Sequence, residues 1–178
     1  MKYTIRQGMF ETNSSSMHSI IITKNDSNCY EKGLKCYYGG ILSFSDEDLE
    51  FSRYPFQFLN TWRDKVAYAI ASYCQEYNRD SEEAKEFISK LETIIKKHVE
   101  GFDHIELPDP EDTWYPFGYV DHQSEGLLQK FLEEENVTLE DFIFTPKYIV
   151  VIDGDEYCIF DTMKKDLKFE IEKEVLPW

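Results

Sequence analysis

No arginine occurs after position 80. Residues 81–178 hold ten lysines against twenty-five Asp and Glu, whereas residues 1–80 hold nine Lys and Arg against ten acids. The formal net charge of −16 therefore sits almost wholly in the later part of the chain. A nucleic-acid-binding surface needs a basic stripe, because neutralising phosphates supplies most of that affinity. This composition argues against direct nucleic-acid binding.

Long apolar runs are also missing. None approaches the about eighteen residues that a transmembrane helix requires, and Met1-Lys2-Tyr3-Thr4-Ile5-Arg6 contains no signal-peptide core. Cysteine is sparse, four in all and irregularly spaced, unlike a secreted disulfide framework. These features predict a cytoplasmic protein with reduced thiols and no membrane association. Familiar catalytic signatures are absent: no Gly-rich phosphate loop, no Gly-x-Ser-x-Gly elbow and no His-Glu-x-x-His helix.

What is present is a foldable composition. Hydrophobic residues make up 42% and aromatics 16%, which is incompatible with general disorder, and 178 residues suit a single domain spanning 1–178. Tyr3-Thr4-Ile5-Arg6 and His18-Ser19-Ile20-Ile21-Ile22-Thr23 read as strands, with a turn at Asn25-Asp26-Ser27-Asn28. Leu34 to Phe44 contains a further extended segment broken by Gly39-Gly40, and the acidic patch Asp46-Glu47-Asp48 follows.

From Asn60 to Asn78 the apolar residues Trp62, Val66, Ile70 and Cys74 recur at helical spacing. A second helix starts at Asp80-Ser81-Glu82-Glu83, carries Ala84, Phe87, Ile88, Leu91, Ile94 and Ile95 on one stripe, and ends at Gly101. The two are expected to pack as a hairpin against a sheet. Residues 106–118 form a long acidic, aromatic and proline-punctuated loop. Short helices are expected from Ser124 to Glu135 and after Thr138, the latter capped by Thr138 with Asp141. Tyr148 to Ile152, a turn at Asp153-Gly154-Asp155 and Tyr157 to Phe160 make a β-hairpin, and Phe169 to Glu172 an edge strand. Together these elements predict an α+β fold, a mostly antiparallel sheet with a helical layer and a C-terminal hairpin.

Five small polar residues, Thr12 to Ser16, stand between Met9-Phe10 and the strand that begins at His18. Such residues bond nearby backbone groups and favour loops, so this segment can hold one imidazole in a fixed place. Tyr119-Val120-Asp121-His122-Gln123-Ser124 offers a second imidazole and a carboxylate where a strand enters a helix. Imidazole and thiolate are natural zinc ligands. The sequence therefore nominates His18, Cys74 and His122 as ligands of a structural zinc, with Asp121 as a further ligand or as the group orienting an imidazole. Each also has a plain reading, Cys74 as a small core residue and His18 as a packed or surface histidine. The Ser-rich loop together with the His and Asp groups could instead serve a metal-dependent hydrolase. A Ser-His-Asp triad drawn from Ser14, Ser15 or Ser16 with His18 or His122 and Asp121 is far less favoured, because three adjacent serines single out no nucleophile.

Met9-Phe10-Glu11-Thr12-Asn13-Ser14-Ser15-Ser16-Met17-His18-Ser19 and the later Tyr119-Val120-Asp121-His122-Gln123-Ser124 resemble a group of small phage and Gram-positive bacterial proteins. Their pattern is Phe-Glu-Thr-Asn-Ser-Ser-Ser-x-His followed by Asp-His-x-Ser. The two motifs cover about one residue in ten, and Asp153-Gly154-Asp155 departs from the Asn-rich turn of that pattern. In size, acidity and lack of catalytic signatures the chain is also similar in character to anti-CRISPR proteins that bind type II effector nucleases. That likeness implies a non-enzymatic inhibitor in a bacterial host cell, its acidic surface engaging a CRISPR effector nuclease and hindering DNA loading. A metal-dependent hydrolase and a phage accessory protein whose charge only keeps it soluble are the rival expectations.

Overall fold

Three consecutive isoleucines commit the segment Ser16–Thr23 (β1) to a strand with apolar side chains on both faces. The computed structural model describes residues 16–24, 39–51, 56–75, 77, 81–109, 117–154, 164 and 170–177. The other described elements are β2 (Ile41–Ser43), α1 (Asp46–Leu49), β3 (Glu50–Phe51), β4 (Gln57–Leu59), α2 (Trp62–Cys74) and α3 (Glu82–His98). They continue as β5 (His104–Glu106), β6 (Tyr119–Val120), a 3-10 turn (His122–Ser124), α4 (Leu127–Glu134), α5 (Leu139–Phe144), β7 (Tyr148–Gly154) and β8 (Ile171–Val175).

The main sheet has the order β4-β7-β1-β8, and every pairing in it is antiparallel. Ile20 lies opposite Val150, Ile21 opposite Ile149 and Ile22 opposite Tyr148. Alternation sends Ile20, Ile22, Val150 and Ile152 into the core shared with the helices. Ile21, Ile149 and Val151 form a smaller cluster on the other face, under Phe56, Phe58 and Ile171. Two short parallel pairs, β2 with β5 and β3 with β6, lie outside this sheet.

At the centre of the helical layer is α2, which contacts α1, α3, α4, α5 and β6. Val66, Ala67, Tyr68, Ala69, Ile70, Ala71 and Cys74 are all buried along it, so it is enclosed on most of its circumference. Lys65 is only 1% exposed. Its ammonium donates to the carbonyls of Phe142 (3.1 Å) and Thr145 (2.9 Å). Those carbonyls belong to the C-terminal end of α5, where a positive charge suits both the outward-facing acceptors and the helix dipole. On α3, the Ala84 N–H donates to the Ser81 hydroxyl (3.2 Å), with Glu82 and Glu83 in the first turn and Lys96, Lys97 and His98 in the last.

These elements agree with the α+β expectation, and α2, α3, α4, α5 and β1 lie where the sequence places them. The Thr138 cap is present: its hydroxyl accepts from the Asp141 N–H (3.0 Å) and donates to the Asp141 carboxylate (2.7 Å). Two details differ. Asp46-Glu47-Asp48 forms the short helix α1, because Ser45 and Asp48 complete a capping box in which each reaches the other's backbone N–H. Asp153 and Gly154 are strand residues rather than a turn, since Met17 and Ser16 of β1 pair with them and carry β7 onward. The expected strand at Tyr3 to Arg6, the turn at Asn25 to Asn28 and the hairpin strand Tyr157 to Phe160 lie outside the described residues, as do residues 110–116 of the long loop. Among the described residues no helix is long and apolar enough to cross a membrane.

Gly118 holds the β3–β6 pair against α1. Its φ of +84° belongs to the left-handed region, and a Cβ there would collide with the Leu49 carbonyl oxygen and lie 2.5 Å from Leu49 Cβ. Gly126 has a similar φ of +74° with nothing within 4 Å of the corresponding position. Gly126→Ala is expected to cost only the left-handed penalty, about 1–2 kcal/mol, and Gly118→Ala several kcal/mol because backbone must also move. Urea unfolding of the two variants measures the difference; equal losses would contradict the close approach at Leu49.

Candidate functional site

The two sequence motifs meet in space. The His18 N–H donates to the Ser124 hydroxyl at 3.0 Å, joining β1 to the 3-10 turn that ends the Asp121-His122-Gln123-Ser124 segment. Asp121 builds that turn. Its backbone N–H donates to the Phe51 carbonyl (3.1 Å), its carboxylate accepts from the Gln123 N–H (3.0 Å), and its carbonyl accepts from the Ser124 N–H (2.7 Å). Asp121 and Ser124 are buried, as expected of polar groups whose bonds are made within the protein.

The His18 ring faces α2 and has no exposed surface. Nδ1 lies 3.1 Å from the Tyr68 hydroxyl, and the two rings are tilted with centroids 5.8 Å apart. Burial disfavours the imidazolium and lowers the His18 pKa to about 3, so the ring is neutral at ordinary pH. Burial likewise pushes the Tyr68 phenol well above its ordinary range. Two neutral aromatic groups thus share a hydrogen bond inside the core, a geometry that fixes β1 against α2.

Of the four candidate ligands, Asp121 and His122 lie together, whereas the His18 ring meets Tyr68 and Cys74 packs in the core. Cys74 sits on α2 six residues beyond Tyr68, about 9 Å along the axis and on another side of the helix. Its thiol is fully buried, and burial pushes its pKa up to about 12. His122 is exposed, its Nδ1 3.5 Å from the Asp121 carboxylate. The structure therefore brings the His18 backbone together with Ser124, and Asp121 with His122. Among the described residues no three His, Cys, Asp or Glu side chains form a group able to hold a metal ion. Tyr68, the direct partner of the His18 ring, was not nominated. It lies between the members of the apolar stripe, and nothing in its spacing distinguishes it from an ordinary core aromatic.

The remaining chemical character of the described surface is charge. Lys24 pairs with Glu170 (2.7 Å), Arg63 with Asp48 (3.2 Å), Lys85 with Glu82 (3.4 Å), Lys97 with Glu140 (2.8 Å) and Lys164 with Glu174 (2.8 Å). Lys173 contacts Glu135, and the Lys130 ammonium donates to the Leu176 carbonyl (2.8 Å). Surface pairs of this kind add little stability, but they engage more than half of the described cations. Glu83, Glu86, Glu125, Glu133, Glu134 and Glu172 add exposed carboxylates beyond those pairs.

The neutral His18 makes stability depend on pH. Its folded pKa of about 3 lies below the ordinary 6.5, so the unfolded chain binds the extra proton between those values. The contribution is intact above pH 6.5 and is lost as pH falls towards 3; about 2 kcal/mol should be gone by pH 5. Urea unfolding at pH 7 and pH 5 should show this loss in the wild type and a flatter response in His18→Gln. The Cys74 thiol, neutral and enclosed, is expected to resist alkylation by iodoacetamide until the chain unfolds, as read by peptide mass. Rapid labelling in the folded protein would contradict its burial.

No protein-family model, curated protein or solved structure matches this chain.

Proposed function

We propose that the protein is a non-enzymatic binding protein whose carboxylate-rich surface engages a basic, nucleic-acid-handling surface of another protein. The observation that carries this reading is the surplus of exposed carboxylates over lysines, six lying beyond the ion pairs of the described surface. A field of one sign accelerates encounter with a partner of opposite sign and repels competing polyanions. The phage-type motifs and the likeness in character to anti-CRISPR proteins point to a type II CRISPR effector nuclease as the partner, with target-DNA loading as the step obstructed. The reading rests on surface charge and needs no zinc. The His18–Tyr68–Ser124 cluster has a supporting part in it, holding the sheet to the helical layer that displays the carboxylates.

The test is binding to a guide-loaded type II effector nuclease across a salt series, followed by target-DNA loading. Affinity is expected to fall about tenfold or more between roughly 0.05 and 0.5 M salt, since surface charges are screened over a few ångströms at the higher value. DNA loading should fall when the protein is bound first. Absence of binding, or binding indifferent to salt, would overturn the proposal.

A further inference from the structure

The α2–α3 hairpin carries aromatic side chains that pack against the core yet keep part of their surface outside it. Tyr73 on α2 and Phe87 on α3 are half-buried and stacked, with centroids 4.4 Å apart and planes 19° from parallel. Four residues beyond Tyr73, Tyr77 follows the end of α2, its N–H donating to the Cys74 carbonyl (2.9 Å). At 43% exposure Tyr77 is the exposed large apolar side chain among the described residues.

Carboxylates border two of these rings, Glu133 at Tyr73 and Glu83, by helical spacing, at Phe87. Gln129 of α4 donates to the Ser72 carbonyl (3.3 Å), which lays α4 beside α2, and Glu133 stands one turn further along α4. Glu133 is close enough to Tyr73 to add to the rise of its phenol pKa, after the larger effect of burial. On α3, Glu83 is exposed one turn before Phe87.

Stacked aromatic faces beside carboxylates suit one cation better than others. A guanidinium is planar, so it lies flat on a ring while its edge donates paired hydrogen bonds to a carboxylate. An ammonium gains the attraction to the ring but lacks both the planar stack and the two-pronged edge. We propose that Tyr73, Phe87 and Tyr77, with Glu133 and Glu83, form a docking surface for arginine side chains in a basic segment of a partner protein. The inference rests on the acidic-binder reading above and narrows it to one face and one side chain. Charge complementarity selects the occupant. An apolar partner would leave Glu133 and Glu83 desolvated, and an anionic one would be repelled.

Among the described residues Lys90, one turn beyond Phe87, is a neighbouring cation that opposes such a guest. Lys96 lies nine residues beyond Phe87, about half a turn round the helix, on the opposite side.

The experiment compares arginine–glycine and lysine–glycine peptides of equal length and charge by titration calorimetry with the full chain. The arginine peptide is expected to bind about threefold or more tightly, with the preference lost in Tyr77→Ala and in Phe87→Leu. Both substitutions are mild, one on an exposed side chain and one keeping an apolar group, and unchanged circular dichroism confirms the fold. Lys90→Glu should tighten arginine-peptide binding more than Lys96→Glu, although both alter net charge equally. Equal, salt-sensitive binding of the two peptides would overturn the arginine surface and leave the acidic-binder reading standing. Preference retained in both aromatic variants would also overturn it. Failure of both peptides to bind at low salt would overturn both.

Discussion

Everything in the described fold depends on burying β1 from both sides. Ile20 and Ile21 are adjacent and neither has exposed surface, so the strand needs cover on each face. One cover is the helical layer around α2; the other is the smaller cluster with Phe56, Phe58 and Ile171. Each fully buried isoleucine contributes about 1.5–3 kcal/mol. The strand is therefore strongly fixed in register, since a slip by one residue would exchange its faces. That fixed register is what delivers His18 to Tyr68 and Ser124.

Polar groups follow from this placement. Once His18 is carried inside by its neighbours, its ring and its N–H must find partners, because an unpaired buried polar group costs about 1–3 kcal/mol. Tyr68 and Ser124 supply them. Lys65 solves the related difficulty at the end of α5, where the buried Phe142 carbonyl finds no helical donor because residue 146 is a proline. Charge on the outside is arranged differently, with short-range pairing of lysines and a residue of carboxylates turned to solvent. The interior is thus specified by satisfied hydrogen bonds and the exterior by an unbalanced field.

The periodic parts of the fold were legible from residue types. The Ile20-Ile21-Ile22 run, the spacing of Val66, Ile70 and Cys74, and the acids and cap before Ala84 each state an element directly. Short elements were not. The helix α1 depends on a reciprocal Ser45–Asp48 bond that competes with a loop of the same composition, and β7 passes through Asp153-Gly154 because β1 offers it partners. For the site, the sequence marked the two segments that meet, but Cys74 and Tyr68, the residue His18 contacts, lie on different sides of α2. That separation follows from helical geometry around Tyr68, a residue with no periodic signal of its own. Lys65 was equally silent, since a lysine within a helix is ordinarily solvated and only the arrival of α5 makes it a cap.

The strand order has a consequence for biogenesis. On one side β1 pairs with a strand that begins at Tyr148, and on the other with one that begins at Ile171. During synthesis, then, the Ile20-Ile21-Ile22 segment emerges from the ribosome long before either neighbour exists. Until then both of its hydrogen-bonding edges stand open, the condition under which chains pair with one another instead of with themselves. Closing the sheet also requires joining segments far apart in sequence, which slows folding. A vectorially made chain of this topology spends most of its synthesis with its most aggregation-prone strand unaccompanied, and its yield in the cell is set by how well that interval is guarded.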